Sequence, residues 1–334
     1  MARRRSSSSR RYSCNELLAT GSDVESPRPV TLLDRAVVRL LPVVPKPVVR
    51  RFSSRYIAGP TLADAVETVG ALNSAGKLAT IDVLGEEITR ESEARGIARA
   101  YVDVFAEIDR ASLDSNVSVK LTGLGLELSY ELCRENLEEV VRAAADRGNF
   151  VRIDMEDSST TDATLGLYRE LRETGHDNLG IVLQAYLRRT LEDVRALSDL
   201  RPSVRLCKGI YVEPAAVAFT DYEAVRANFL RCLEELLAAD AYVGVATHDE
   251  WLIGESLRRI AGRGLAADAY ELQMLLGVRE ERADELVAQG HRLRVYVPFG
   301  EQWYAYSLRR LQENPAMAGT IARATAGRVL RLRP

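Results

Sequence analysis

Between residues 78 and 300 the chain alternates short apolar runs with longer amphipathic stretches. The runs LATIDVLG (78–85), VSVKLT (117–122), FVRIDM (150–155), GIVLQAY (180–186), VRLCKG (204–209), YVGVAT (242–247), YELQML (270–275) and RVYVPFG (294–300) have the length and β-branched content of strands. The stretches between them repeat apolar positions at helical spacing. Residues 61–76 place Leu62, Val66, Val69 and Leu72 on one face, and Thr220 with Glu223 predicts a capping box before a long amphipathic segment. Gly76, Gly148 and Gly175 stand where helices would end in a left-handed residue. Mostly continuous apolar strands joined by helical crossovers predict a parallel sheet covered by helices, and an eightfold alternation over about 250 residues predicts a closed (βα)8 barrel. A doubly wound open sheet is the competing arrangement. It calls for GxGxxG after its first strand, and the nearest candidate, GLGLELS at 123–129, lacks the third glycine.

The polar residues that interrupt these runs gather at one end of the predicted fold. Lys120, Asp154, Gln184, Lys208, Thr247, His248, Gln273 and Tyr296 stand at or just past the C-terminal end of a predicted strand. In a barrel those ends form the rim on which active sites are built. Three carboxylates follow the third strand: Asp154 is expected to point into the mouth beside Lys120, with Glu156 and Asp157 in the next loop as capping candidates. Taken singly, each residue has a structural explanation, such as helix capping for Asp154 or a loop hydrogen bond for His248. Their convergence is what points to chemistry. Beyond the eighth strand, GEQWYAYSLRRLQENP (300–315) reads as a helix carrying Arg309 and Arg310 beside aromatics, with Glu313 one turn later. Adjacent guanidinium groups suit a carboxylate clamp, and a solvated helix with Arg309–Glu313 pairing is the alternative.

Composition narrows the class. With 46% hydrophobic and 28% charged residues the chain has the make-up of a soluble globular protein, and it lacks a run of roughly 18 apolar residues to span a bilayer. A net charge of −3 argues against a dedicated nucleic-acid binder. Four scattered cysteines and three histidines offer neither a disulfide framework nor a metal site, which fits a cytoplasmic location. Only four of the 45 basic residues are lysines, and two of these, Lys120 and Lys208, stand in the predicted rim. A lysine kept in an arginine-rich chain suggests a need for a compact charge on a flexible stem. Residues 1–30, rich in Arg and Ser, predict a disordered basic tail, and the Arg10–Arg11 pair lacks the apolar region of an export signal. Residues 31–60 predict a helical lead-in to a barrel domain at 61–330.

Over residues 56–325, in uninterrupted order, DVLGE (82–86), VSVKLT, RIDMEDS, VLQAYLRRT, RLCKGIYVEP, VATHDE, YELQMLLG, VYVPFG and WYAYSLRRLQENP resemble the proline dehydrogenase family. The resemblance implies a distorted (βα)8 barrel of the TIM type, preceded by short helices and with its last helix over the mouth. It also implies FAD bound without a Rossmann motif, and oxidation of L-proline to 1-pyrroline-5-carboxylate by hydride transfer to FAD, the first step of proline catabolism. Asp154 becomes the active-site carboxylate, and Arg205 lies near the reactive flavin nitrogen. Lys120, Tyr211, Leu276, Tyr296, Arg309 and Arg310 become substrate residues. Met155, Gln184, Lys208, Gly209, Ile210, Thr247, His248 and Glu313 become cofactor contacts, and Glu86 pairs with Arg309 as a gate. Ile210 departs from the family, which usually has alanine there. The resemblance further implies a quinone-type electron acceptor, hence transient contact with the inner membrane surface. A separate pyrroline-5-carboxylate dehydrogenase would act downstream, since the match carries no aldehyde dehydrogenase domain. Two other functions compete: a class I aldolase-like barrel using Lys120 or Lys208 as a Schiff base, and a flavin-binding sensor without turnover.

Overall fold

The computed structural model describes residues 55–85 and 88–304. Glu86, Arg309, Arg310, Glu313, the 1–30 tail, most of the lead-in and the helix expected after the eighth strand lie outside the described residues.

Helix α1 (Leu62–Ser74) begins where Thr61 and Asp64 exchange hydrogen bonds: the Asp64 amide donates to Thr61 Oγ1 at 3.2 Å and the Thr61 amide to Asp64 Oδ2 at 2.9 Å. It ends at Gly76, whose φ of 74° lets the Lys77 amide turn back to the Leu72 carbonyl. The strands are β1 (Leu78–Val83), β2 (Ser115–Val119), β3 (Val151–Ile153), β4 (Leu179–Gln184), β5 (Ser203–Cys207), β6 (Tyr242–Ala246), β7 (Tyr270–Leu275) and β8 (Leu293–Phe299). Between them run α2 (Glu91–Arg110), α3 (Tyr130–Ala145), α4 (Thr161–Glu173), α5 (Thr190–Ala196), α6 (Tyr222–Ala238), α7 (Glu250–Gly262) and α8 (Glu280–Ala288). The strands pair in chain order, all parallel, and β8 closes on β1. The barrel expectation holds and the open sheet is excluded.

Three local expectations need correction. Helix α6 is capped by Asp221, not Thr220: its carboxylate, a stronger acceptor for an orphan amide, takes the Ala224 N–H at 2.8 Å. Gln273 and Tyr296 do not stand at strand ends but inside β7 and β8, and their length carries their polar tips across the barrel.

The third correction concerns the strands themselves, which are not apolar on both faces. Side chains alternate across a strand. Outward, Ile81, Val117, Val119, Ile153, Ile181, Leu206, Val245, Leu272 and Val297 are fully or almost fully buried under the helices, against Tyr101, Phe105, Leu137, Tyr168, Phe229 and Leu233. Inward stand Asp82, Ser118, Arg152, Arg205, Glu271, Gln273 and Arg294, most of them hydrogen-bonded across the barrel axis. Two strand glycines make room for them. A Cβ at Gly180 would overlap the Arg152 guanidinium, and a Cβ at Gly244 would overlap the Gln273 amide. Over Gly180, Arg152 crosses β4 to donate to the Ser203 carbonyl at 2.6 Å and the Ser203 hydroxyl at 3.0 Å on β5.

Candidate active site

Two residues stand one position past short strands, Lys120 after β2 and Asp154 after β3, and their side chains turn into the mouth. Lys120 Nζ donates to Asp82 Oδ2 at 2.7 Å and to the Tyr296 hydroxyl at 3.1 Å. That hydroxyl donates in turn to Asp154 Oδ2 at 2.8 Å. The other oxygen of Asp154 accepts from Arg205 Nη1 at 2.7 Å, while Lys120 lies 3.8 Å from Oδ2. Four expected residues, from β2, β3, β5 and β8, are thus joined in one cluster. Both cations also approach the Tyr296 ring, Arg205 at 5.2 Å and Lys120 at 5.8 Å from its centroid. Each carboxylate is almost fully withdrawn from water, and cations and hydroxyls meet it there.

Asp82 was missing from the sequence expectation, and among the described residues it is the nearest carboxylate to Lys120. Its side chain is fully buried, and it also accepts from the Tyr101 hydroxyl at 3.2 Å. Glu271 and Arg294 were missed as well. Arg205 Nε donates to Gln273 Oε1 at 2.5 Å, Gln273 Nε2 donates to Glu271 Oε1 at 2.5 Å, and Arg294 Nε donates to that same oxygen at 2.8 Å. The available signal was a charge inside an apolar run, as in ATIDV, YELQM and RLRVYV.

A second arc of polar groups follows the ends of β4, β5 and β6. Gln184 Nε2 donates to the Glu156 carbonyl at 2.7 Å. Lys208 Nζ lies 3.5 Å from Asp249 Oδ2 and 5.2 Å from the centroid of the Tyr222 ring. Burial lowers the Lys208 pKa from the usual lysine range, with Asp249 opposing it. Asp249 itself is held by Arg226 Nε at 2.9 Å, Arg226 Nη2 at 2.8 Å and the Tyr222 hydroxyl at 2.5 Å. Burial pushes its carboxyl up, but these bonds and the Lys208 and Arg226 charges outweigh it and hold the carboxyl at about 2. Thr247 Oγ1 accepts from the Asp249 amide at 3.1 Å. His248 Nε2 accepts from the Leu275 amide at 3.0 Å, which leaves the ring proton on Nδ1.

Met155 is buried directly after Asp154. Gly209 has a φ of 109°, and a Cβ there would overlap the Tyr186 ring, so backbone and packing both demand glycine. Tyr211 packs beside Tyr186, Leu187 and Ala218, and Ile210 is half-buried. Leu276, half-buried one position past β7, packs against the core, and Leu275 shares the inward parity of Gln273. Glu156 lies in the loop after β3, as expected, but its side chain caps no helix. It is buried and accepts from the Thr122 amide at 3.0 Å and hydroxyl at 2.5 Å, tying the β2 and β3 loops together. Asp157 does serve its loop, accepting from the Ser159 amide at 2.9 Å.

Comparison with known proteins places this geometry. A family model described as proline dehydrogenase matches residues 65–323. The chain is 42% identical over 267 residues to proline dehydrogenase 1 of Bacillus subtilis (strain 168), covering 80% of this chain and 88% of that one. It is 37% identical over 273 residues to a proline dehydrogenase of Deinococcus radiodurans, again covering 80% and 88%. Among solved structures, proline utilization A (PutA) from Bdellovibrio bacteriovorus inactivated by N-propargylglycine superposes with a TM-score of 0.76 at 25% identity, over 85% of this chain and 36% of that longer one. By these matches, and by the barrel and rim described above, the chain belongs to the proline dehydrogenase family.

Proposed function

We propose that the chain oxidises L-proline to 1-pyrroline-5-carboxylate with FAD as cofactor, in the cytoplasm, using residues 61–330 as the catalytic unit. The observation that carries this reading is the Lys120–Tyr296–Asp154–Arg205 cluster at the rim of the barrel. The donor set fits the cofactor. Gln184, Lys208, Thr247 and His248 present an amide, an ammonium, a hydroxyl and an imidazole on one arc, groups that suit the polar edge of a flavin and its phosphates. When bound, FAD supplies the acceptor for the hydride on the carbon next to the proline nitrogen.

What the chain's own groups do is bind and orient. Proline carries a carboxylate and an amine, so the site must offer a cation and an anion at fixed separation. Lys120, anchored by Asp82, together with Arg309 and Arg310, receives the carboxylate. Asp154 biases the protonation of the amine and holds Arg205 and Tyr296 in place. Arg205 supplies fixed positive charge where negative charge develops. Met155, Gly209, Ile210 and Glu313 complete the cofactor site, Tyr211 and Leu276 line the substrate side, and Glu86 pairs with Arg309 as a gate. Electrons pass to a quinone-type acceptor during transient contact with the membrane surface, and a separate pyrroline-5-carboxylate dehydrogenase takes the product. No described helix is long and apolar enough to cross a membrane, which suits surface contact.

The aldolase-like alternative needs a free amine; the Lys120 nitrogen is engaged by the Asp82 carboxylate and the Tyr296 hydroxyl, and the Lys208 nitrogen lies 3.5 Å from the Asp249 carboxylate. The test is proline-dependent dye reduction with the pyrroline product trapped by o-aminobenzaldehyde. Product formation is expected, with Arg309→Ala raising the KM for proline. No trapped product from a flavin-loaded protein would refute the assignment, and a normal KM in the variant would refute the clamp.

A further inference from the structure

We propose that Gln273 is a positioning residue that sets the plane of the Arg205 guanidinium, and that Gly244 is the residue that lets it do so. This goes beyond the catalytic reading and rests on it only for the kinetic part of the test. Arg205 is fixed by two hydrogen bonds from strands that do not neighbour β5: Nη1 to Asp154 beyond β3, and Nε to Gln273 on β7. Two bonds from opposite flanks of a planar group define its plane, and Arg205 makes no other hydrogen bond among the described residues. The remaining Nη2 edge is therefore held in a set direction.

The amide is dictated by its neighbours. On one side stands a cation, which requires an acceptor. On the other stands Glu271, which requires a donor and is itself held by Arg294 and by the Tyr242 hydroxyl at 3.1 Å. Among side chains of this length only glutamine offers both, and the charges on either side decide which way round it lies. Register explains the glycine. Gly244 is the Cα partner of Arg205 on one side and of Glu271 on the other, so the Gln273 side chain must pass over it to cross β6. A Cβ at 244 would occupy the space of the amide nitrogen.

The test uses the full-length protein and three changes: Gln273→Met, which keeps length and removes the amide; Gly244→Ala; and the charge-conserving exchange Glu271→Gln with Gln273→Glu, which keeps an acceptor facing Arg205. The first readout is hydrogen exchange of the Arg205 Nε–H, followed by 15N–1H spectroscopy and assigned through its loss in Arg205→Lys. The second is kcat and KM for proline. Each single change is expected to speed Nε–H exchange about tenfold or more and to lower kcat about tenfold to a hundredfold with KM within about twofold, since a displaced orienting group loses rate steeply. The Gln273→Met/Gly244→Ala combination should be no worse than the poorer single variant, because both break one contact. The exchanged pair should recover to within about threefold of the parent. Unchanged Nε–H exchange in the folded single variants overturns the proposal, as does additive loss in the combination. A parent that leaves proline unoxidised would defeat the functional reading while the exchange measurement still decides the positioning.

Discussion

Ile181 and Arg205 lie on neighbouring strands, β4 and β5, and both are almost fully buried. Ile181 faces the helices. It contributes by removing apolar area from water and needs only a neighbour of suitable shape. Arg205 faces the barrel axis, where burial alone is unfavourable, and it is tolerated because Asp154 and Gln273 accept its protons at 2.7 and 2.5 Å. The same strands therefore carry two kinds of interior. The outer one supplies stability and is satisfied by hydrophobic residues of about the right volume. The inner one costs stability unless every partner is present, and it is where the proposed chemistry would reside.

The comparison breaks most readily at Asp154. Asp154→Ala leaves Arg205 without its carboxylate, and it should cost about 3–5 kcal/mol of stability by denaturant titration. It should also lower proline-dependent dye reduction by about a hundredfold or more. An outer change of similar stability cost should behave otherwise: Ile181→Ala is expected to lose about 2–5 kcal/mol, with kcat and KM of the folded fraction unchanged when assayed well below its Tm. An equal loss of kcat in Ile181→Ala would dissolve the distinction between the two faces.

A smaller effect distinguishes the polar cluster behind Lys208. The Asp249 carboxyl sits at about 2 in the fold against an ordinary 3.8, so its contribution is present above pH 4 and is lost as pH falls towards 2. The loss amounts to about 2 kcal/mol, and Asp249→Asn should flatten the urea midpoint against pH across that window. The smallest effect concerns inward hydroxyls that have no partner. Among the described residues Thr80 Oγ1 and Ser118 Oγ are buried without a hydrogen bond, so Thr80→Val should change stability by no more than about 0.5 kcal/mol, in either direction. A loss of about 2 kcal/mol would mean that bound water already satisfies this part of the interior.

These two faces were unequally legible in the sequence. The eight strands and their order could be read because β-branched runs are bounded by helix signals, and their C-terminal residues Lys120 and Asp154 stood out as charges after apolar segments. The inner face was hidden by its small members. Alanine, glycine and serine beside outward valine and isoleucine read as unbroken apolar runs, and the charges at Asp82, Glu271 and Arg294 were lost among them. Pairing was less legible still. Lys120 was expected to answer Asp154, yet it sits closer to Asp82, because the register of β1 against β2 decides which carboxylate lies within reach. The roles of Gly180 and Gly244 depend on side chains that arrive from neighbouring strands, which local sequence does not reveal.

The central claim, that the inner face of this rim holds a flavin and orients proline beside it, is tested most directly by the visible absorbance of the purified protein before and after L-proline is added without oxygen. A flavin band that bleaches on addition, with pyrroline-5-carboxylate formed in matching amount, is the predicted result. A protein without flavin, or a flavin band unchanged by proline, would contradict it.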